Sequence, residues 1–421
     1  MASSSASPLL KTQPGRPGYY EILIFAFLLI EFLFLAFGKV VDAIAMASYL
    51  VTYEFGFISK ALIGSVFSLF TSRITSGQIY VTAVVSFLIL IASISLLLGK
   101  LIRNSRQDMR SSVIVFVLLF LSSPLSVTYL LGMYIGRFDT YWIIITLLAL
   151  IFIKNPVWRW AVPIMCAVAI SVHQGYIFSY MPALMVPVLY EVYANKYSKR
   201  SFFIFFFSCF SLISLFIVFQ VLPAKIPFNN AVDFSEYLSK SADFPVSPLM
   251  LHLVYFAPFS EGYYGYVQPL IASYALPFGF ALLVFSLPFL IIFGVIWKKC
   301  FSDTGNKFLR FVFLLCAFSP LIFIPISFFL SDWERYWAAV LNTQFVLIFY
   351  FIYSNEQVVI DSVKKIGNFF EKHFLLLVLI IVFLCSIKFS EAATNISSFV
   401  QNKDEIIKIL EDYSNSVLSR S

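Results

Sequence analysis

Charge is what this chain has least of. Only 12% of its 421 residues are Asp, Glu, Lys or Arg, while 60% are hydrophobic; a soluble domain carries about 25% charged residues. A water-soluble fold of this composition is excluded, because too little polar surface exists to cover the apolar bulk. Histidine occurs three times. The five cysteines (Cys166, Cys209, Cys300, Cys316, Cys385) are scattered and four lie inside apolar runs, so neither a disulfide framework nor a metal-ligand spacing is present. The cytoplasmic side has no Gly-rich phosphate loop, and there is no internal repeat of the transporter kind and no soluble domain. The net charge of +7 does not signal nucleic acid, since the basic residues fall in small clusters between apolar runs, the footprint of membrane topology.

What is abundant is Phe, 50 residues of it, in runs long enough for helices that need about 20 apolar residues to span a bilayer. The fold class that follows is all-α, a polytopic helical integral membrane protein. Eleven spans are expected, at 21–38, 78–98, 112–131, 139–153, 159–172, 176–192, 201–222, 270–296, 308–330, 336–353 and 374–390. The spans at 139–153 and 159–172 are short and could tilt or stop partway. Residues 1–20, rich in Ser and Pro, read as a disordered cytoplasmic N-terminus. The first apolar run does not read as a cleaved signal. Residues 21–390 form the membrane domain, and 391–421 an amphipathic tail outside.

Lys and Arg orient the chain. With the N-terminus in the cytoplasm, the inside segments hold 18 of them, against 7 in the outside loops before the tail. The bias holds at every inside loop, as the positive-inside rule requires. Two outside loops are long, at about 39–77 and 222–268. The first contains the amphipathic stretch Phe55 to Phe70, suited to lie in the interface. The second is rich in Pro and Tyr, and its apolar part, Pro248 to Phe259, could dip back into the membrane.

Ionisable groups near a span are costly, so their positions are informative. The cytoplasmic ends carry almost nothing but Lys and Arg, whereas the outer ends carry a mixture. Asp42 follows the first span: a catalytic carboxylate, or an ordinary helix-end charge. Glu54 and Lys60 flank Gly56 in an aromatic loop that could hold a lipid or a sugar; the plain alternative is a surface ion pair of little worth. Arg137 and Asp139 are two apart and share no helical face; Arg suits a phosphate, or the two pin a hairpin. His173, with Gln174, occupies a tight turn between two apolar spans, as general base, phosphate ligand or buried structural histidine. Asp332 and Arg335 share a helical face, and Trp333, Tyr336 and Trp337 fit the aromatic belt of a membrane interface. Glu31, mid-span, is expected to be paired with a neighbouring helix.

With these features the chain resembles the bacterial polytopic proteins of surface-polysaccharide assembly, particularly O-antigen and capsule repeat-unit polymerases, and the wider GT-C class of lipid-linked glycosyltransferases. The likeness lies in topology: a first span followed by a long outside loop bearing Asp42 and Glu54, a later long outside loop, and outside Arg137 and Arg335. The first loop departs from the plan in lacking a tight acidic pair, and the second is short for a polymerase. The resemblance implies a GT-C-like fold in the inner (cytoplasmic) membrane, using a polyprenyl-(pyro)phosphate-linked glycan. Asp42, or alternatively His173, would be catalytic. Glu54, Lys60, Arg137, Asp139, Gln174, Asp332, Arg335 and Tyr336 would bind substrate. No metal site and no cofactor is expected, a divalent cation being left open. The lipid bilayer is the partner, nucleic acid is not, and other membrane proteins of polysaccharide assembly are compatible. The rival reading is a lipid-linked oligosaccharide flippase or other transporter, whose mark would be broken helices in matching halves and several deep charges; here only Glu31 is deep.

Overall fold

The computed structural model describes residues 18–36, 41, 43–132, 135–222, 225–256, 268–323, 333–389 and 396–398. The described residues are helical almost throughout. In order come α1 (Tyr19–Ala36), α2 (Ala43–Leu50), α3 (Ala61–Ser68), α4 (Ser76–Asn104), α5 (Gln107–Ser122), α6 (Val127–Gly132), α7 (Asp139–Lys154), α8 (Val162–Val172), α9 (Tyr176–Ser179), α10 (Met181–Ala194), α11 (Lys199–Val221), α12 (Ala231–Ser239) and α13 (Pro248–Leu251). Then follow α14 (Gln268–Asp303), α15 (Lys307–Phe318), α16 (Trp333–Tyr353), α17 (Gln357–Lys372) and α18 (Phe374–Cys385). The strands β1 (Ile387–Phe389) and β2 (Ile396–Ser398) pair antiparallel.

Helix dominates because, in lipid, each backbone N–H and C=O must find its partner within the segment. Local signals set the ends. Thr75 and Gln78 form a capping box at the start of α4. Ser198, Asn230 and Asn306 cap α11, α12 and α15.

Among the described residues, six helices are long and apolar enough to cross a bilayer: Tyr19–Ala36, Ser76–Asn104, Gln107–Gly132, Lys199–Val221, Leu282–Asp303 and Trp333–Tyr353. A seventh arises if α17 and α18, bent by 97° at His373, count as one. The other expected spans are helical but short: α7 has 16 residues, α8 has 11, α10 has 14 and α15 has 12. The span expected at 374–390 is a 12-residue helix, with strand from Ile387. The expected disordered N-terminus and the amphipathic tail lie outside the described residues, apart from the end of the former and residues 396–398 of the latter.

Two kinds of helix result. The surfaces of α1, α4, α11, α14 and α18 are studded with exposed large apolar side chains, among them Phe27, Leu88, Phe206, Ile291 and Leu379. Such a continuous apolar face fits contact with lipid. By contrast α5 and α16 are enclosed. Gln344 inside α16 is fully used: Trp297 Nε1 donates to its Oε1 at 2.5 Å, and its Nε2 donates to Cys316 O at 2.9 Å and Ser319 Oγ at 2.7 Å. A buried amide with its partners satisfied ties α14, α15 and α16 together. Glu31 meets the neighbouring helix as expected, accepting from Thr128 Oγ1 at 3.0 Å.

Segments assigned to one face of the membrane touch segments assigned to the same face. At the basic end, Arg103 pairs with Glu21 (2.9 Å), Lys364 with Asp108 (2.7 Å) and Lys154 with Glu191 (2.5 Å), and Tyr190 donates to Glu356 (3.0 Å). This corrects the reading that the basic end has almost no carboxylates: several are there, and they neutralise Lys and Arg. At the opposite end the two long loops dock on each other. Ile74 N donates to Ser241 O (2.8 Å), Lys225 N to Phe55 O (2.7 Å), and Ser76 N to Asp243 Oδ1 (2.8 Å), while Phe55 packs edge-on against Phe234. The Phe55–Phe70 stretch is a short turn plus α3, with Phe57, Leu69 and Phe70 left exposed. Of the apolar part of the second loop, 248–256 is a helical turn running into a π-turn; 257–259 lie outside the described residues.

Candidate functional site

At the non-basic end the short helices terminate beneath the docked loops. Two of these termini and the start of the long α16 hold the site. Asp139 opens α7, Arg335 lies in the first turn of α16, and His173 follows the last residue of α8. Arg335 Nε donates to Asp139 Oδ1 at 2.5 Å, across 196 positions of sequence. Both are sheltered, their side chains 13% and 2% exposed. In such surroundings the pair is held by geometry as well as charge, because a lone charge there would be costly.

Trp142, one turn along α7 from Asp139 and fully buried, is the hub. The Arg335 guanidinium lies 5.2 Å from its ring centre, and the His173 ring meets it edge-on at 5.3 Å. Tyr176 and Tyr180 enclose the rest of the indole. Gly175 lets the turn pack closely here: a Cβ would meet Trp142 Cη2 at 3.0 Å and His173 Nδ1 at 3.2 Å.

The imidazole is electrically constrained. Burial pushes its pKa well below the ordinary histidine value, and Lys60, Arg335 and Arg137 push in the same direction. His173 Nδ1 accepts the Gly175 backbone N–H at 2.9 Å. An acceptor Nδ1 in a neutral imidazole leaves the proton on Nε2. His173 is therefore built as a hydrogen-bond donor through Nε2–H, which weakens its case as general base. Gln174 is a strut. Its N–H donates to Ser59 Oγ at 3.0 Å, and its Oε1 accepts from Gln220 Nε2 at 2.6 Å, linking the first loop, the His173 turn and the end of α11.

Of the residues expected to form the site, Asp139, His173 and Arg335 are in direct contact with Trp142 or with each other, and Lys60 and Arg137 act on the imidazole electrostatically. Tyr336 is buried, stacks on Phe323 at 5.7 Å and lies 5.9 Å from the Arg335 guanidinium. Glu54 is exposed on the 53–55 turn, and no described contact carries its carboxylate to the cluster. Asp42 and Asp332 lie outside the described residues.

Sequence reasoning paired Arg335 with Asp332 and missed Asp139 as its partner, since nothing local links positions 196 apart. It also missed Trp142, Tyr180 and Ser59. For Trp142 a signal existed, its i+3 spacing from Asp139 on one helix. Asp139 Oδ2, Thr140 Oγ1 and Trp142 Nε1 are buried with no hydrogen-bond partner among the described residues. An acceptor and two groups able to donate, all beside the Arg335 pair, leave the site with polar capacity to spare. Among the described residues no group of His, Cys, Asp and Glu could hold a metal ion. No family model matches the chain, and no curated protein and no solved structure matches it either.

Proposed function

We propose that this chain is a membrane glycosyltransferase, a polysaccharide repeat-unit polymerase working on a polyprenyl-(pyro)phosphate-linked glycan at the outer face of the cytoplasmic membrane. The observation that carries the reading is the gathering of Arg335 and His173 on Trp142, with Lys60 next to the Ser59 that receives the Gln174 N–H and Arg137 two residues before Asp139, at the end of an apolar bundle and under two docked loops. Cations gathered at the lipid boundary suit a lipid-linked phosphate, and Arg suits it best through its planar fork.

In this reading Arg335, held by Asp139 and the Trp142 face, and Arg137 stabilise charge developing on the leaving pyrophosphate. His173 donates Nε2–H to the same anion. The proton of the acceptor hydroxyl passes to a carboxylate, for which Asp42 is the candidate. Eleven crossings, with the N-terminus inside and the C-terminus outside, belong to the proposal. Their support is that contacts among the described loops stay on one face.

The experiment is a comparison of lipid-linked glycans in cells with and without the protein, resolved by chain length and by membrane leaflet. A polymerase predicts that its loss leaves single repeat units at the outer leaflet. Accumulation of those units at the inner leaflet would replace the reading with a flippase.

A further inference from the structure

The basic end of the bundle holds charge that the proposed reaction does not use. Glu191 of α10 is fully engaged there. Its Oε1 takes Lys154 Nζ at 2.5 Å and the Tyr350 hydroxyl at 2.6 Å, and its Oε2 takes Asn195 Nδ2 at 2.9 Å. Glu356 is turned to Tyr190. Beside this network stand two further cations. Arg200, at the start of α11, donates to the Pro156 carbonyl and lies 5.3 Å from the Trp160 ring centre. Arg159, in the turn leading into α8, stands between Pro156 and Trp160, the two residues that Arg200 touches. Arg200 Nε is buried with no hydrogen-bond partner among the described residues.

Two like charges held together beside a carboxylate already engaged by Lys154 suit an anion. The surroundings say which kind. Trp158 and Trp160 are 58% and 45% exposed, as befits aromatic residues at the headgroup level. Along the packed pair α8 and α11, Ile164, Val168, Phe203 and Phe207 are exposed in line with the two arginines. We infer that Arg159 and Arg200 clamp the phosphate of an anionic phospholipid, with its acyl chains lying along this α8–α11 surface. The site lies at the opposite end from Arg335 and rests on the membrane reading alone, so it stands whether or not the proposed reaction is right. Basic pockets between helices are suited to acidic headgroups, and the Arg fork to a phosphate.

The test is native mass spectrometry of the full chain in detergent, titrated with dioleoyl phosphatidylglycerol and, separately, dioleoyl phosphatidylcholine. The wild type should retain phosphatidylglycerol in preference. R159Q/R200Q should weaken that binding about 30-fold, two headgroup contacts' worth. K298Q/K299Q, which removes the same charge elsewhere on this end, should leave it unchanged. If R159Q/R200Q fails to fold, R159K/R200K serves, and should bind several-fold more weakly because the forks are gone. Equal affinity for both lipids, equal losses in the two glutamine pairs, or wild-type affinity in R159K/R200K would overturn the assignment.

Discussion

Arg335 sits between a carboxylate and an indole, and both contacts depend on its shape. A residue that only anchored a helix end would be replaceable by Lys, since both side chains snorkel. At the Asp139–Trp142 position a point charge is a poor substitute for a plane. Arg335→Ala is expected to lower glycan product by on the order of 100- to 1000-fold, equivalent to about 2.7–4 kcal/mol, by analogy with losing an oxyanion donor. Arg335→Lys should recover little, with membrane protein level measured in parallel. Full product from Arg335→Lys would reduce the residue to an anchor. Asp139→Asn keeps an acceptor for Arg335 Nε but removes the opposing charge, at a cost of up to about 3–5 kcal/mol, so lower folded yield as well as lower activity is expected. For His173 the sign of the pH effect follows from its depressed pKa. The unfolded chain takes up a proton below about pH 6.5 while the folded one resists. The stability is therefore whole above that pH and is lost as pH falls toward the lower folded value. Melting curves should show the wild type losing more on acidification than His173→Asn, whose amide oxygen can still accept the Gly175 N–H; parallel losses would contradict this. Arg137, Asp139, His173 and Arg335 were all legible in the sequence as outer-end polar groups in an apolar chain. Their pairing was not, because a contact between positions 139 and 335 leaves no local trace.

Among the elements, the described part of every expected span is mainly helical, since apolar runs report the need for internal hydrogen bonding. Hydropathy does not report length. The span expected at 176–192 is broken at Tyr180, so that α10 begins only at Met181 ahead of Pro182, and α15 ends at Ser319-Pro320. The sharp bend between α17 and α18 was also invisible, as neither Gly nor Pro stands at Lys372-His373. It is set by packing instead. The buried residues Val359, Ile360, Val363 and Phe370 lay α17 against α5 and α14. The approach is so close at Gly367 that an added Cβ would meet Ser112 Oγ at 2.2 Å and its Cα at 2.6 Å. Gly367→Ala should therefore destabilise by about 1–3 kcal/mol, the usual cost of overpacking, as a lowered midpoint of thermal unfolding in detergent. Ser112→Gly in the same chain should restore part of it, and no restoration would place the strain elsewhere.

For the whole molecule the orientation is checked by labelling single cysteines at Ser72 and Ser302 in a chain freed of its native cysteines. Ser72 lies in the first long loop and Ser302 near the basic end of α14. A membrane-impermeant thiol reagent applied to intact cells should modify the first and spare the second; the reverse would invert the topology. The termination of α8 has a further consequence, one of depth. From the aromatic turn at Trp158 to Val172 is a helical run of 15 residues, about 22 Å of rise, whereas the hydrocarbon core is about 30 Å thick. His173 and its neighbouring cations thus stand several ångströms short of the far headgroup plane, at the bottom of a well rather than on the membrane's skin. An anion reaching them must shed much of its water on the way down, and local thinning of the bilayer would shorten the descent. In nanodiscs of graded acyl-chain length, turnover should rise as the chains shorten, while a site lying level with the headgroups would be indifferent to them.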